Sequence, residues 1–168
     1  MAESGLMGGF LGVMKGLVQS RASPGPESLR PGEESVRRGA WGEDAACCYL
    51  AGRGWRILER NARPCKSDRR CEVDIIAQSD CGGVVFVEVK THRRKSPYAT
   101  RLWRVDRRKK RPLLRACACW IMSHHWHGDF RFDVIEVYGE AGSHACPEID
   151  HVENVPLFGP NWRFWRGG

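Results

Sequence analysis

The chain has 168 residues, with 27 Lys and Arg against 20 Asp and Glu, a formal charge of +7. That length suits one domain of ~100–150 residues plus tails, and an apolar content of 42% argues against a wholly disordered chain. No apolar run reaches the ~18 residues of a membrane-spanning helix, which excludes an integral membrane protein of that kind. The positive balance points to a polyanionic partner.

Residues 1–34 carry seven glycines and three prolines and read as a poorly ordered extension. A secretory signal fits poorly, because Glu3 stands where positive charge belongs and no clean small-residue cleavage site follows. An over-long start, with Met7 or Met14 as initiator, gives the same pattern. Patterning begins at Ser35 and predicts one domain over 35–158, followed by an aromatic and basic tail over 159–168.

Ala40, Trp41, Ala45, Ala46, Tyr49 and Leu50 recur at helical spacing and predict an amphipathic helix closed by Gly52 and Gly54. Residues 55–61 read as a first strand. After a polar loop over 63–70, residues 71–78 and 84–91 read as a hairpin around Ser79-Asp80-Cys81-Gly82-Gly83. A basic stretch then leads into a second helix ending near Ser123. Pro112 falls inside it, predicting a kink or a start delayed to near Arg111. Residues 130–138 read as a fourth strand and 149–153 as a short edge strand. The fold class is α/β, with helix, three-strand meander, helix and strand around a mixed central sheet.

The eight cysteines stand at 47, 48, 65, 71, 81, 117, 119 and 146, without a C-x-x-C pair. That spacing argues against a zinc ribbon or finger. It predicts reduced, mostly buried thiols in a cytoplasmic protein. Cys117 and Cys119 lie two apart on a helix and do not face each other, so no redox pair is expected between them.

Alternate strand residues share a face, so Glu72 and Asp74 lie together, as do Glu88 and Lys90. Val73, Ile75, Val87 and Val89 face the other way, into a core. A symmetric five-residue loop pairs Gln78 with Val84 and brings Asp74 opposite Glu88. Facing carboxylates repel across a strand pair. A divalent cation relieves that repulsion, and hard oxygen ligands suit Mg²⁺ or Mn²⁺. Lys90 adds a positive charge beside the pair, a set suited to metal-assisted phosphodiester hydrolysis. The plainer alternative is a solvated strand face of mixed charge.

This arrangement resembles the PD-(D/E)xK nuclease core of restriction endonuclease-like folds. More closely, the chain is similar to the bacterial YraN family over about residues 39–158. The resemblance rests on Gly39, Gly42, Glu43, Ala46, Leu50, Gly54 and Arg60-Asn61. It continues through Cys71-Glu72-Val73-Asp74-Ile75-Ile76 and Phe86-Val87-Glu88-Val89-Lys90-Thr91. Val105-Asp106 with Lys109, Arg131-Phe132-Asp133-Val134 and His151-Val152-Glu153-Asn154 complete it. It implies Asp74 and Glu88 as metal ligands, with the Val89 carbonyl as a third. Lys90 is implied to activate water and to stabilise the transition state. Glu43 is implied as an added acidic residue of the catalytic site, and Glu72 as an accessory metal ligand. Products would carry a 5′-phosphate and a 3′-hydroxyl. Cys71 and His92 stand where the family usually has Gly and Arg, and neither replaces an implied ligand.

Between Arg93 and Arg115 stand eleven basic residues and one acid, a local +10 that leaves −3 for the rest of the chain. Arg93, Arg94, Lys95, Arg101, Arg104, Arg107, Arg108, Lys109, Lys110 and Arg111 are therefore the candidate nucleic-acid contacts. Trp103 inside this stripe either stacks on a base or packs. His124, His125 and His127 fit an exposed turn better than a metal site. Residues 161–166 read as a docked or mobile tail before they read as a single-strand binder.

The leading reading is a Mg²⁺- or Mn²⁺-dependent nuclease of structured, branched or single-stranded DNA, without a membrane partner. A nucleic-acid-binding module with this fold and no cleavage is the runner-up, and a protein scaffold is third. Analogy with junction-cutting relatives suggests a homodimer.

Overall fold

The computed structural model describes residues 31–95, 107–143 and 145–158, with the side chains of Pro31, Arg107 and Arg108 excepted. Most of the predicted N-terminal extension and all of the tail over 159–168 lie outside these residues. Helix α1 spans Pro31–Gly52 and starts four residues ahead of Ser35. Proline is favoured at the first helical position, and Glu33 and Glu34 meet the positive end of the helix dipole. The helix closes around Gly54 at φ +80°, where the Trp55 N–H reaches back to the Leu50 carbonyl at 3.1 Å.

Strands β1 (Arg56–Ala62), β2 (Val73–Gln78) and β3 (Val84–His92) form the meander. Helix α2 (Arg107–Ser123) returns the chain to β4 (Phe130–Tyr138), and β5 (Glu148–Val152) closes the order. The sheet runs β1-β2-β3-β4-β5, with β3 and β4 parallel and every other pair antiparallel. The parallel pair needs a crossover, and α2 lies within it.

Each helix covers one face of the sheet. Ala45, Ala46 and Leu50 of α1 pack on Ile75, Val85, Val87, Ile135 and Val137. Leu113, Ala116, Cys117, Trp120 and Ile121 of α2 pack on Ile76, Phe86, Phe132 and Val134. The spacing of those α2 residues is one helical stripe, and its burial supplies most of the helix's stability.

Two expectations need correction. Helix α2 does not wait for Arg111: it begins at Arg107 and carries Pro112 in its second turn. So close to the helix start, the missing N–H forfeits a single bond, towards the carbonyl of residue 108. The buried stripe that follows outweighs it. Nor are the cysteines all reduced. Cys65 and Cys119 form a disulfide with Cα atoms 5.8 Å apart, across 54 residues of sequence. The loop between β1 and β2 folds back onto α2, a long-range contact that spacing cannot reveal. The other six are free thiols. Cys48, Cys71 and Cys117 are buried, and Cys81 and Cys146 are exposed.

Gly42 brings α1 against β3. A Cβ there would land on Thr91 Oγ1 and lie 3.2 Å from Thr91 Cβ. Gly42→Ala should therefore destabilise the fold by about 1–3 kcal/mol despite its better helix propensity. Adding Thr91→Ala should recover most of that loss in urea unfolding. A single variant as stable as the parent would show that no close contact is made.

Candidate active site

The β2–β3 ladder pairs Gln78 with Val84 and continues to Ile75 with Val87. This is the register expected from a symmetric loop, so Asp74 and Glu88 stand next in line. There the ladder stops, although both strands go on. The Asp74 carboxylate takes over from the missing backbone partner: its Oδ2 accepts the Val89 N–H at 2.7 Å. In a strand, the N–H and C=O of one residue point the same way, so the Val89 carbonyl faces the same gap.

The Glu88 side chain is only 11% exposed, and two amines converge on its Oε1. Lys90 Nζ lies at 2.5 Å from the same strand, and Lys109 Nζ at 3.4 Å from α2. Lys109 stands one turn before Leu113, so it continues the buried stripe of α2 and reaches over the sheet. Glu43 enters from α1, where its carboxylate accepts from Asn61 Nδ2 at 2.8 Å and lies 4.0 Å from Arg60.

These charges act on one another. Burial, and then the charge of Glu88, push the Asp74 carboxyl up to about 7, with Glu43 adding to the effect. The Val89 N–H and Lys90 oppose it. The Lys109 amine is held above its ordinary value by Glu88, with Asp74 behind it.

The structure thus gathers Asp74, Glu88, Lys90, Glu43 and Lys109. Glu72 is drawn aside by Arg63, at 2.8 Å. Among the described residues, no three His, Cys, Asp or Glu side chains converge as a ready metal cage. Oxygen donors are present as a carboxylate pair beside a backbone carbonyl.

The basic stripe divides. Arg93 pairs with Glu34, and Lys95 lies 2.7 Å from Glu148 and 2.8 Å from Asp150, so both are neutralised within the protein. Arg94 and Arg111 are exposed and Lys110 is half-buried. Arg101, Trp103 and Arg104 lie outside the described residues, as do the side chains of Arg107 and Arg108. His124, His125 and His127 are exposed on the turn after α2, with His124 stacked on Trp120.

Sequence reasoning gave no role to Asp133, which is fully buried on the α1 face. It accepts from Arg131 Nε, from the Asn154 N–H at 2.8 Å, and lies 3.0 Å from His151 Nε2. These bonds bolt β5 and the segment after it onto β4. The signal was present as a buried-type strand carrying one aspartate.

A five-stranded mixed sheet covered by helices, with acids where two strands part, defines a restriction endonuclease-like core. Residues 42–137 match the uncharacterised protein family UPF0102. The chain belongs to this family, which is the YraN family of the resemblance above. A UPF0102 protein of Trichlorobacter lovleyi is 41% identical over 118 residues, covering 70% of this chain and 87% of its own length. One from Pelobacter propionicus is 36% identical over 144 residues, covering 84% and 96%. One from Halorhodospira halophila is 42% identical over 115 residues, covering 68% and 86%. A solved structure, the SPO1766 protein of unknown function from Silicibacter pomeroyi, has 16% identity and a TM-score of 0.26 over 77% of each chain. That likeness is too slight to define the fold. Among the described residues no helix is long and apolar enough to cross a membrane.

A carboxyl that titrates at about 7 when folded and near 3.8 when unfolded loses stability as pH rises between those values. Asp74→Asn removes that penalty while keeping an acceptor for Val89. Its melting temperature without metal should exceed the parent's by roughly 3 °C or more at pH 8. The gain should fade as pH falls from 7 to about 4. A gain independent of pH would detach the effect from Asp74 ionisation.

Proposed function

We propose that the protein is a divalent-metal-dependent nuclease that hydrolyses phosphodiester bonds in structured, branched or single-stranded DNA. One observation carries the reading: two lysine amines and a second carboxylate surround Glu88 at the point where β2 and β3 part. A solvated strand face has no cause to bury Glu88 beneath two amines.

The donor set fits Mg²⁺ or Mn²⁺. Its atoms are hard oxygens, and Asp74 holds a proton more tightly than a carboxylate should, as expected where a cation is the natural counter-charge. Asp74 and Glu88 would hold the ion with the Val89 carbonyl, and Glu43 would add negative charge to the site from α1. When bound, such an ion polarises a phosphoryl oxygen and offsets developing charge. Lys90 Nζ orients water and keeps a positive charge beside the phosphate. Lys110 and Arg111 are placed to hold the adjoining backbone. Six free thiols support a cytoplasmic location, and the Cys65–Cys119 bond is the feature against a fully reduced chain.

A second reading has its own support. Glu88 already has two amines as counter-charges, and among the described residues no third acidic ligand completes a cage. A nucleic-acid-binding module without cleavage is consistent with that.

Cleavage of duplex, single-stranded and branched DNA with Mg²⁺ or Mn²⁺ separates the two. Parent protein should cut at least one substrate, and Asp74→Asn and Lys90→Ala should each lose at least about 100-fold in rate. Cleavage that persists in both variants removes this site from the reaction. Salt-sensitive binding without cleavage selects the binding module. Lys110→Glu with Arg111→Glu should weaken binding and flatten its salt dependence. Unchanged affinity would take α2 out of the interface.

A further inference from the structure

Lys109 belongs to two environments at once. Its side chain is 65% exposed, on the turn of α2 that also presents Lys110 and Arg111, yet its amine reaches a carboxylate only 11% exposed. Lys90 is the nearer and more fixed partner of Glu88, two residues along the same strand at 2.5 Å. Lys109 is the looser one at 3.4 Å, and the one a phosphate arriving from solvent can reach.

We infer that Lys109 is a positioning residue for Glu88 that couples cation binding to nucleic-acid binding. The inference rests on the nuclease reading above. Without nucleic acid, Lys109 lies on Glu88 Oε1 beside Lys90 and adds a second positive charge to the carboxylate that a divalent cation needs, so the site holds the ion weakly. A phosphodiester lying along Lys110 and Arg111 offers oxygens that bind an ammonium in a charge-assisted hydrogen bond. Lys109 then turns from carboxylate to phosphate. Glu88 is left with Lys90 alone, and one of the two positive charges that oppose the cation is gone. Coupling of this kind is reciprocal: nucleic acid tightens cation binding by the same factor that the cation tightens nucleic-acid binding. The arrangement keeps the cation site weak until a substrate backbone is in place.

The test is calorimetric titration of the full chain with MnCl₂, with and without a phosphorothioate single-stranded DNA of about 16 nucleotides. DNA affinity with and without Mn²⁺ is read by fluorescence anisotropy. The parent should bind Mn²⁺ about tenfold more tightly with DNA present. Lys109→Met should bind Mn²⁺ about tenfold more tightly without DNA, and lose most of the further gain on adding it. Lys109→Arg keeps the charge and donors and should retain the coupling. Arg115→Met removes a charge elsewhere on α2, beside Asp68 at 3.8 Å, and should behave as the parent. Full coupling in Lys109→Met, or an equal effect in Arg115→Met, would overturn the inference while leaving the nuclease reading intact. Mn²⁺ binding that is absent, or that Asp74→Asn leaves unchanged, would overturn both.

Discussion

The hydrogen bond from the Val89 N–H to Asp74 is the contact on which the site depends. The β2–β3 ladder ends one residue short of it, and a backbone donor left at that point needs an acceptor. Asp74 supplies one from its side chain, which fixes a carboxylate in the gap between the strands. Glu88 is held there from the other strand by alternation, because Ile75 and Val87 are fully buried on the α1 face. Both faces of the sheet carry core, and the acids share the α2 face with Ile76 and Phe86. A slip of β3 by one residue would carry Glu88 to the α1 face and part it from Asp74.

That register was readable from five residues of loop, since Gly82 and Gly83 set its length and Gln78 and Val84 its ends. Asp74, Glu88 and Lys90 followed from strand alternation alone. The position of Glu43 did not. It depends on how deeply α1 settles on β3, which Gly42 decides by allowing Thr91 into contact. Lys109 was legible as one of the residues that carry the family resemblance and as one basic residue among many, without a role of its own. Its separate place emerges when the buried stripe of α2 is traced back a turn from Leu113. Pro112 obscured that trace by suggesting that the helix had not yet begun. The disulfide was out of reach, because Cys65 and Cys119 meet through tertiary folding of a loop whose path no periodicity encodes.

The two helices therefore serve the site differently. Helix α1 brings negative charge, and Asn61 and Arg60 hold that charge in place. Helix α2 brings positive charge from a surface that continues outward. The result is an acidic gap with amines on its rim, in which Glu88 raises the cost of deprotonating Asp74 and Lys90 lowers it. Asp74 is pushed up mainly because it is buried, and Glu88 adds to this because it is close. Both effects fall when positive charge enters the gap.

The stripe of +10 is less uniform in space than in sequence. Arg93 and Lys95 are spent on Glu34, Glu148 and Asp150, which tie the end of β3 to α1 and β5. Basic residues at 107–111 instead crowd the start of α2, where the helix dipole already carries positive charge and like charges repel at helical spacing. A solvated helix would gain by placing them at its other end. Their position at the helix start that carries Lys109 raises the positive potential next to Glu88, which the proposed polyanionic partner would relieve. Under the proposed reading, the same crowding that weakens α2 on its own would steer a phosphate backbone to the end of the helix from which Lys109 reaches the acids.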